Sequence, residues 1–257
     1  MTPQKQLTAF YTMLRNDFVR IIRIWSQTLL PPIVTTSLYF IVFGTFIGSQ
    51  LAPIHGLKYI QFIVPGLIMM SVITSSYMNT VSTFYFAKWT KTLDEILVSP
   101  MPDWLVIFGF VSGGVMRGLM VGALVGVVGL FFTHLAIHNI VALVAALVLT
   151  SVLFSLAGLI NGAFAKSFDG ISIVPTFVLT PLTYLGGIFF SISQFPPIWQ
   201  KVSLFNPILY MINAFRWGFF GVSDINILTC FGVLIGFILL FLIVLLWLFR
   251  RGIGVRA

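Results

Sequence analysis

The chain has 257 residues, of which 59% are hydrophobic and 8% charged, with a mean hydropathy of +1.07. A soluble domain carries about 25% charged residues, so soluble enzymes and adaptors are excluded and an all-α integral membrane protein is implied. The net charge of +8 belongs with anionic lipid headgroups and not with nucleic acid, because so apolar a chain has no solvated basic face to offer a polynucleotide.

Before the first span, Leu7, Phe10, Tyr11, Leu14, Phe18, Ile21, Ile22 and Trp25 recur at helical spacing, with Lys5, Asn16, Arg20 and Arg23 on the opposite face. This predicts an interfacial amphipathic helix over residues 5–26, its apolar face in acyl chains and its cations among headgroups. Its charges also argue against a cleavable signal peptide. Charge-free runs then define the membrane spans, since about 20 apolar residues in a helix cross the hydrocarbon core. The run 118–165 is too long for one helix and is broken at Thr133, His134, His138 and Asn139. Six transmembrane helices follow, over 28–49, 59–84, 106–132, 140–163, 171–191 and 227–248.

Lysine and arginine outside the spans set the orientation. With the N-terminus inside, cytoplasmic segments hold Lys5, Arg15, Arg20, Arg23, Lys88, Lys91, Lys166, Arg250, Arg251 and Arg256. The external segments hold Lys58, Lys201 and Arg216. Both termini are therefore expected in the cytoplasm, and so is the polar stretch 87–103. In that stretch Thr92 and Glu95 have the spacing of a capping box, Leu93, Ile96 and Leu97 share one face, and Pro100 limits the helix to about two turns. It reads either as an ordinary loop or as a docking helix for a cytoplasmic partner.

The third span carries Gly114, Gly118, Gly122 and Gly126 on one face, a spacing that lets helices approach closely, within one chain or between two. Arg117, beside this stripe, either faces protein or snorkels to the inner headgroups. His134 and His138 lack a third ligand and read as turn residues; no metal site is expected. Cys230 stands alone in an apolar run, which excludes a disulfide framework. Pro196, Pro197 and Pro207 break residues 192–226 into two short helices, near 197–204 and 207–220, with Asn206 as an N-cap. Neither is long enough to cross, so the segment reads as an external re-entrant helical hairpin before the last span.

All six acids fall outside the expected spans, so no mid-membrane carboxylate is offered for ion coupling. No G-x-x-x-x-G-K-[ST] loop and no intramembrane proteolytic constellation occur. The chain itself is not expected to be catalytic, and energy for any work must come from another protein.

RIWSQTLLPP, QFIVPGLIMMSVI at 61–73 and SLAGLINGAFAKSFD at 155–169 resemble the ABC-2 type transporter permeases, in the bacterial inner-membrane branch of YadH-like and NodJ-like proteins. The family signature reads here as Leu179, Leu182, Leu185, Gly186 and Ile188, then Pro196, then Pro207, Ile208, Tyr210 and Arg216; Phe195 departs from it, standing where the pattern has a smaller or aliphatic residue. The resemblance covers nearly the whole chain and implies one ABC-2 transmembrane domain over residues 1–257. It further implies a homodimer paired with two copies of a cytoplasmic ABC ATPase, which binds ATP and Mg, to form an exporter in the bacterial inner membrane. In such proteins the N-terminal helix and first cytoplasmic loop contact the ATPase, which would make Thr92, Leu93, Asp94, Glu95, Ile96 and Leu97 coupling residues. The path at the dimer interface would involve Met69, Met70, Tyr77, Phe177, Tyr184 and Phe189, each of which also reads as lipid contact or packing. The substrate class expected is amphiphilic, lipid-linked or drug-like. The alternative from another class is an ATP-independent channel or lipid-modifying membrane enzyme.

Overall fold

A chain immersed in hydrocarbon must satisfy its backbone groups internally, and helices do so within one segment. The computed structural model of the protein describes residues 2–54 and 56–254; no strand occurs among them. Arg256, counted above among the cytoplasmic cations, lies outside the described residues.

In chain order, α1 (Pro3–Arg23) and the short α2 (Trp25–Thr28) lead into α3 (Leu30–Tyr39), which widens into a π-helical stretch Phe40–Ile47 and a 3-10 turn Gly48–Gln50. Next come α4 (Tyr59–Trp89), α5 (Thr92–Val98), α6 (Asp103–Phe132) and α7 (Ile140–Phe164). Then α8 (Phe168–Val174) continues through a π-helical Pro175–Leu179 into α9 (Thr180–Tyr184). A 3-10 turn Ile192–Gln194 precedes α10 (Pro197–Ser203), α11 (Pro207–Phe220) and α12 (Ile227–Arg251).

Among the described residues, five helical segments are long and apolar enough to cross a membrane: Trp25–Gln50, α4, α6, α7 and α12. The stretch expected to span over 171–191 differs. Its helix runs only from Phe168 to Tyr184, about 26 Å at 1.5 Å per residue, and Gly187 then turns with φ +79. Two prolines shape it. Pro175 has no N–H to give the Ile171 carbonyl one turn earlier, and that carbonyl instead accepts from Asn161 Nδ2 of α7 at 3.2 Å.

α4 is the central helix, packed along α6 and α7. The glycine stripe lies in this contact, within one chain. A Cβ on Gly114 would overlap the Thr80 and Ser155 hydroxyls, one on Gly118 would overlap the Ser76 hydroxyl, and one on Gly122 would press on Val72. At Gly126 the nearest atom, Ile68 Cδ1, is 4.0 Å from that position, so the fit loosens. These small residues let the backbones approach where lipid supplies no hydrophobic drive for helix association.

One apolar cluster runs along the bundle and a second marks one end. At one end Phe84, Leu93, Val106, Phe110, Leu159, Leu245 and Phe249 gather the ends of α4, α7 and α12 with α5 and the start of α6. Lys88 there donates to the carbonyls of Ala163 (3.0 Å) and Gly254 (2.9 Å). Met13 of α1 packs on the same cluster, so both terminal segments share this end, called here the terminal end. At the hairpin end, α11 packs against α7, α12 and the first half of α4.

Candidate functional site

At the terminal end, α5 is a seven-residue helix fixed by its apolar face. Leu93 is 1% exposed, with Ile96 and Leu97 packed beside it, whereas Glu95 is exposed and Val98 is 88% exposed. The expected capping box is not what starts it. Lys91 occupies the N-cap position in a left-handed conformation (φ 60) without a side-chain cap, and Thr92 is already the first helical residue. The Thr92 hydroxyl bonds Thr90 Oγ1 at 3.0 Å, so the tight turn out of α4 takes the cap's place. Pro100 does act as a stop, because Ser99 is extended (ψ 155).

α1 lies beside α5's cluster. Its contact with α6 is made by a row one turn apart, Met13 on Gly109 and Asp17 on Gly113, with Ile21 fully buried next in the row. The row runs between the two faces read from the sequence, so Leu7, Tyr11, Phe18, Ile22 and Trp25 remain exposed, as an interfacial helix requires. Asp17 pairs with Arg20 at 3.1 Å, and Arg20 reaches Asn79 Oδ1 of α4 at 3.1 Å. Burial pushes the Asp17 carboxyl above its usual 3.8, with the Arg20 guanidinium pulling the other way. Arg15, Asn16, Val19, Arg20 and Arg23 form a basic groove along the outer side of α1.

Midway along the bundle, α4 shows one partly open stripe, Met70, Thr74 and Met78, one turn apart. A cleft of about 350 Å³ lies on one side of it, walled by Pro31, Thr35 and Tyr39 from α3 and floored by Arg117. On the other side a smaller space of about 120 Å³ is lined by Tyr77, Pro175, Leu179 and Thr183. Of the residues expected on a path, Met70 and Tyr77 line these spaces. Phe177 (74% exposed) and Tyr184 (50%) face outward from the bundle. Met69 is fully buried in the core, and Phe189 is buried against Phe43 and Tyr184, with ring centroids at 4.9 and 5.9 Å.

Arg117 faces protein. In a continuous helix the Thr28 carbonyl would bond the N–H of residue 32, but Pro32 has none; Arg117 Nη2 donates to it instead, at 3.1 Å. A cation was legible here, its partner was not. The signal was the Pro31–Pro32 pair.

At the hairpin end the signature residues converge. Asn206 caps α11 through Ile208 N (3.0 Å) and donates to the Leu182 carbonyl (2.6 Å). Tyr210 donates to Leu204 O (2.7 Å), and Gly186 is so close to Ile208 that a Cβ would overlap it. Arg216, 1% exposed, donates to Gly187 O at 2.8 Å and lies 3.7 Å over the Phe62 ring. Asp224 is within electrostatic range of that guanidinium, accepts from Ser191 Oγ (2.8 Å) and anchors by its own N–H to Asn213 (2.9 Å). Arg216 therefore leaves the count of loop cations, and Lys58 and Lys201 remain at that end. His138 joins the knot through its backbone, donating to the carbonyls of Gly218 and Phe219 at 3.0 Å, and its ring meets Trp217 edge-on at 5.1 Å. No group of three or more metal-ligating side chains occurs among the described residues.

Comparison with known proteins accords with this architecture. The profile of the ABC-2 type transporter family matches residues 8–220. Over 242 residues the chain is 56% identical to the inner membrane transport permease YadH of Escherichia coli (strain K12), covering 94% of each protein. It is also 25% identical over 218 residues to nodulation protein J of Rhizobium leguminosarum bv. viciae, covering 83% of each.

Proposed function

Because the chain belongs to the ABC-2 type transporter family, we propose that it is the permease subunit of a bacterial exporter driven by a separate cytoplasmic ABC ATPase. Membership of that family itself implies association with such an ATPase and a multi-pass place in the membrane. In this reading two copies of the chain pair with two of the ATPase, ATP and Mg sit on the ATPase, and an amphiphilic, lipid-linked or drug-like cargo leaves the cytoplasm or inner leaflet.

The observation that carries the reading is α5: a short helix seated by Leu93 at the point where α4, α6, α7 and α12 end together, with Glu95 and Val98 turned outward. A push on its outer face is delivered to four helix ends at once. α1 lies in the same contact region, on α6. Phe168–Tyr184 serves as the short fifth of six crossings, and α10–α11 as a hairpin entering the outer leaflet without crossing it. Exposed Phe177 and Tyr184 support a surface for the second copy beside the Met70–Met78 stripe. The terminal end holds Lys5, Arg15, Arg20, Arg23, Lys88, Lys91, Lys166, Arg250 and Arg251 against Lys58 and Lys201 at the hairpin end, which supports cytoplasmic termini.

The test is co-purification of the permease with its ATPase, followed by assay of ATP hydrolysis. Glu95→Lys should uncouple hydrolysis from the permease while leaving membrane insertion intact. Normal coupling after deletion of residues 92–99 would remove α5 from the mechanism. A cysteine placed at Lys201 should react with an impermeant external reagent and one at Lys91 should not; native Cys230 is buried and stays silent. Labelling at Lys91 in intact cells would invert the topology.

A further inference from the structure

The cleft between α3 and α4 contains a positive charge, Arg117, that has no ion-pair partner among the described residues. Its volume, about 350 Å³, falls within the roughly 300–1,000 Å³ of small-molecule sites. Three hydroxyls along its walls are already satisfied: Thr36 and Ser71 bond each other at 2.8 Å, and Thr74 bonds Met70 O at 2.9 Å. Arg117 is different. Its Nη2 holds the Thr28 carbonyl, while Nε is buried with no hydrogen-bond partner. Asp17 of α1, which packs on Gly113 of the same helix as Arg117, is committed to Arg20 at 3.1 Å, and Arg20 itself stands close enough to repel Arg117. Neither α3 nor α4 carries an acid. A cation at this depth is costly unless paired, and a guanidinium fork suits a planar or tetrahedral oxyanion.

We propose that the α3–α4 cleft binds an amphiphile with an oxyanion headgroup, Arg117 acting as its counter-ion and Tyr39, Met70 and Met78 lying against its alkyl chain. Naming that amphiphile as cargo rests on the transport reading; the binding itself does not. The polar head would sit beside the only cation of α6, and the apolar stripe of α4 would take the tail. A neutral or cationic amphiphile would leave Arg117 uncompensated.

Photolabelling of the purified permease in maltoside micelles tests this, with a dodecyl phosphate bearing a diazirine in its chain as probe. Label is expected on the peptides containing Tyr39 and Met70–Met78. Excess dodecyl phosphate should compete and dodecyltrimethylammonium should not. Arg117→Gln should cut labelling about tenfold, the loss expected for one charged hydrogen-bonding partner, with Arg117→Lys intermediate. Thr74→Trp, which fills the cleft but leaves Arg117 and its Thr28 bond in place, should also abolish labelling, and decides the matter if Arg117→Gln does not fold. Undiminished labelling of the same peptides in Thr74→Trp or folded Arg117→Gln would overturn the site. Equal competition by inorganic phosphate would overturn the amphiphile assignment. Competition by phosphatidylglycerol as strong as by dodecyl phosphate would give the site to a resident lipid and overturn the cargo assignment. The assay uses neither ATPase nor ATP, so its failure leaves the transport reading standing; loss of ATPase coupling alone leaves the site standing.

Discussion

The two ends of the bundle are held by different physics. At the hairpin end, α11 is almost entirely buried and tied by side-chain hydrogen bonds of Asn206, Tyr210, Asn213 and Arg216 to three stretches of chain, 182–187, Leu204 and Asp224. At the terminal end, α5 is seated by one fully buried leucine, and α1 by one row of side chains over two glycines and a single hydrogen bond from Arg20 to Asn79. Interlocked polar contacts in a dry interior fix one arrangement, since each unmade bond is costly. A few apolar contacts permit a helix to be displaced and reseated. The terminal end is thus the one built to yield and the hairpin end the one built to hold.

The contrast can be broken most severely at Arg216. Arg216→Met should leave the Gly187 carbonyl without its donor and destabilise the fold by about 3 kcal/mol, the upper end for losing a hydrogen bond to a charged group. Heat-induced aggregation in detergent reads this, and Arg216→Lys should restore little because it lacks the planar fork. Leu93→Ala should cost about 2 kcal/mol, the low end for leucine truncation because a two-turn helix can settle. Its signature is faster proteolysis within 87–103 with the rest of the bundle intact. Gly113→Ala forces Asp17 off α6 and should cost about 1 kcal/mol, read as increased accessibility of α1 to protease.

The smallest effect is at Asp17. Its carboxyl is held above 3.8 by burial, so the folded state favours the protonated form. That favourable contribution is present below 3.8 and is lost as pH rises through the raised value. Asp17→Asn should therefore melt at the same temperature as the parent or slightly above it at pH 7. The advantage should shrink as the medium is acidified, and a large loss at pH 7 would mean that the Arg20 pair outweighs burial.

Much of this was legible in the chain. Charge-free runs and Pro100, Pro197, Pro207 and Asn206 marked the helices, because a proline without an N–H and an asparagine that caps act locally. What escaped was non-local. Asn161 and Arg117 serve carbonyls left open by Pro175 and Pro32 on other helices, and nothing in their own neighbourhoods announces it. Asp17 fills the notch left by Gly113, a contact that nothing in its own neighbourhood signals. Thr92 and Glu95 had the right spacing for a capping box, but the left-handed Lys91 starts the helix instead. The 171–191 stretch was apolar enough to span; its prolines and the Gly186–Gly187 turn shorten the helix.

On the proposed reading, work enters at α5 while the hairpin end stays locked. Amide hydrogen exchange of the permease in nanodiscs, alone and with its ATPase held in a nucleotide-bound state, measures both ends together. Thr92–Val98 should become protected on assembly, and Pro207–Phe220 should exchange slowly in both states without change. Protection gained on Pro207–Phe220 with none on Thr92–Val98 would contradict the account.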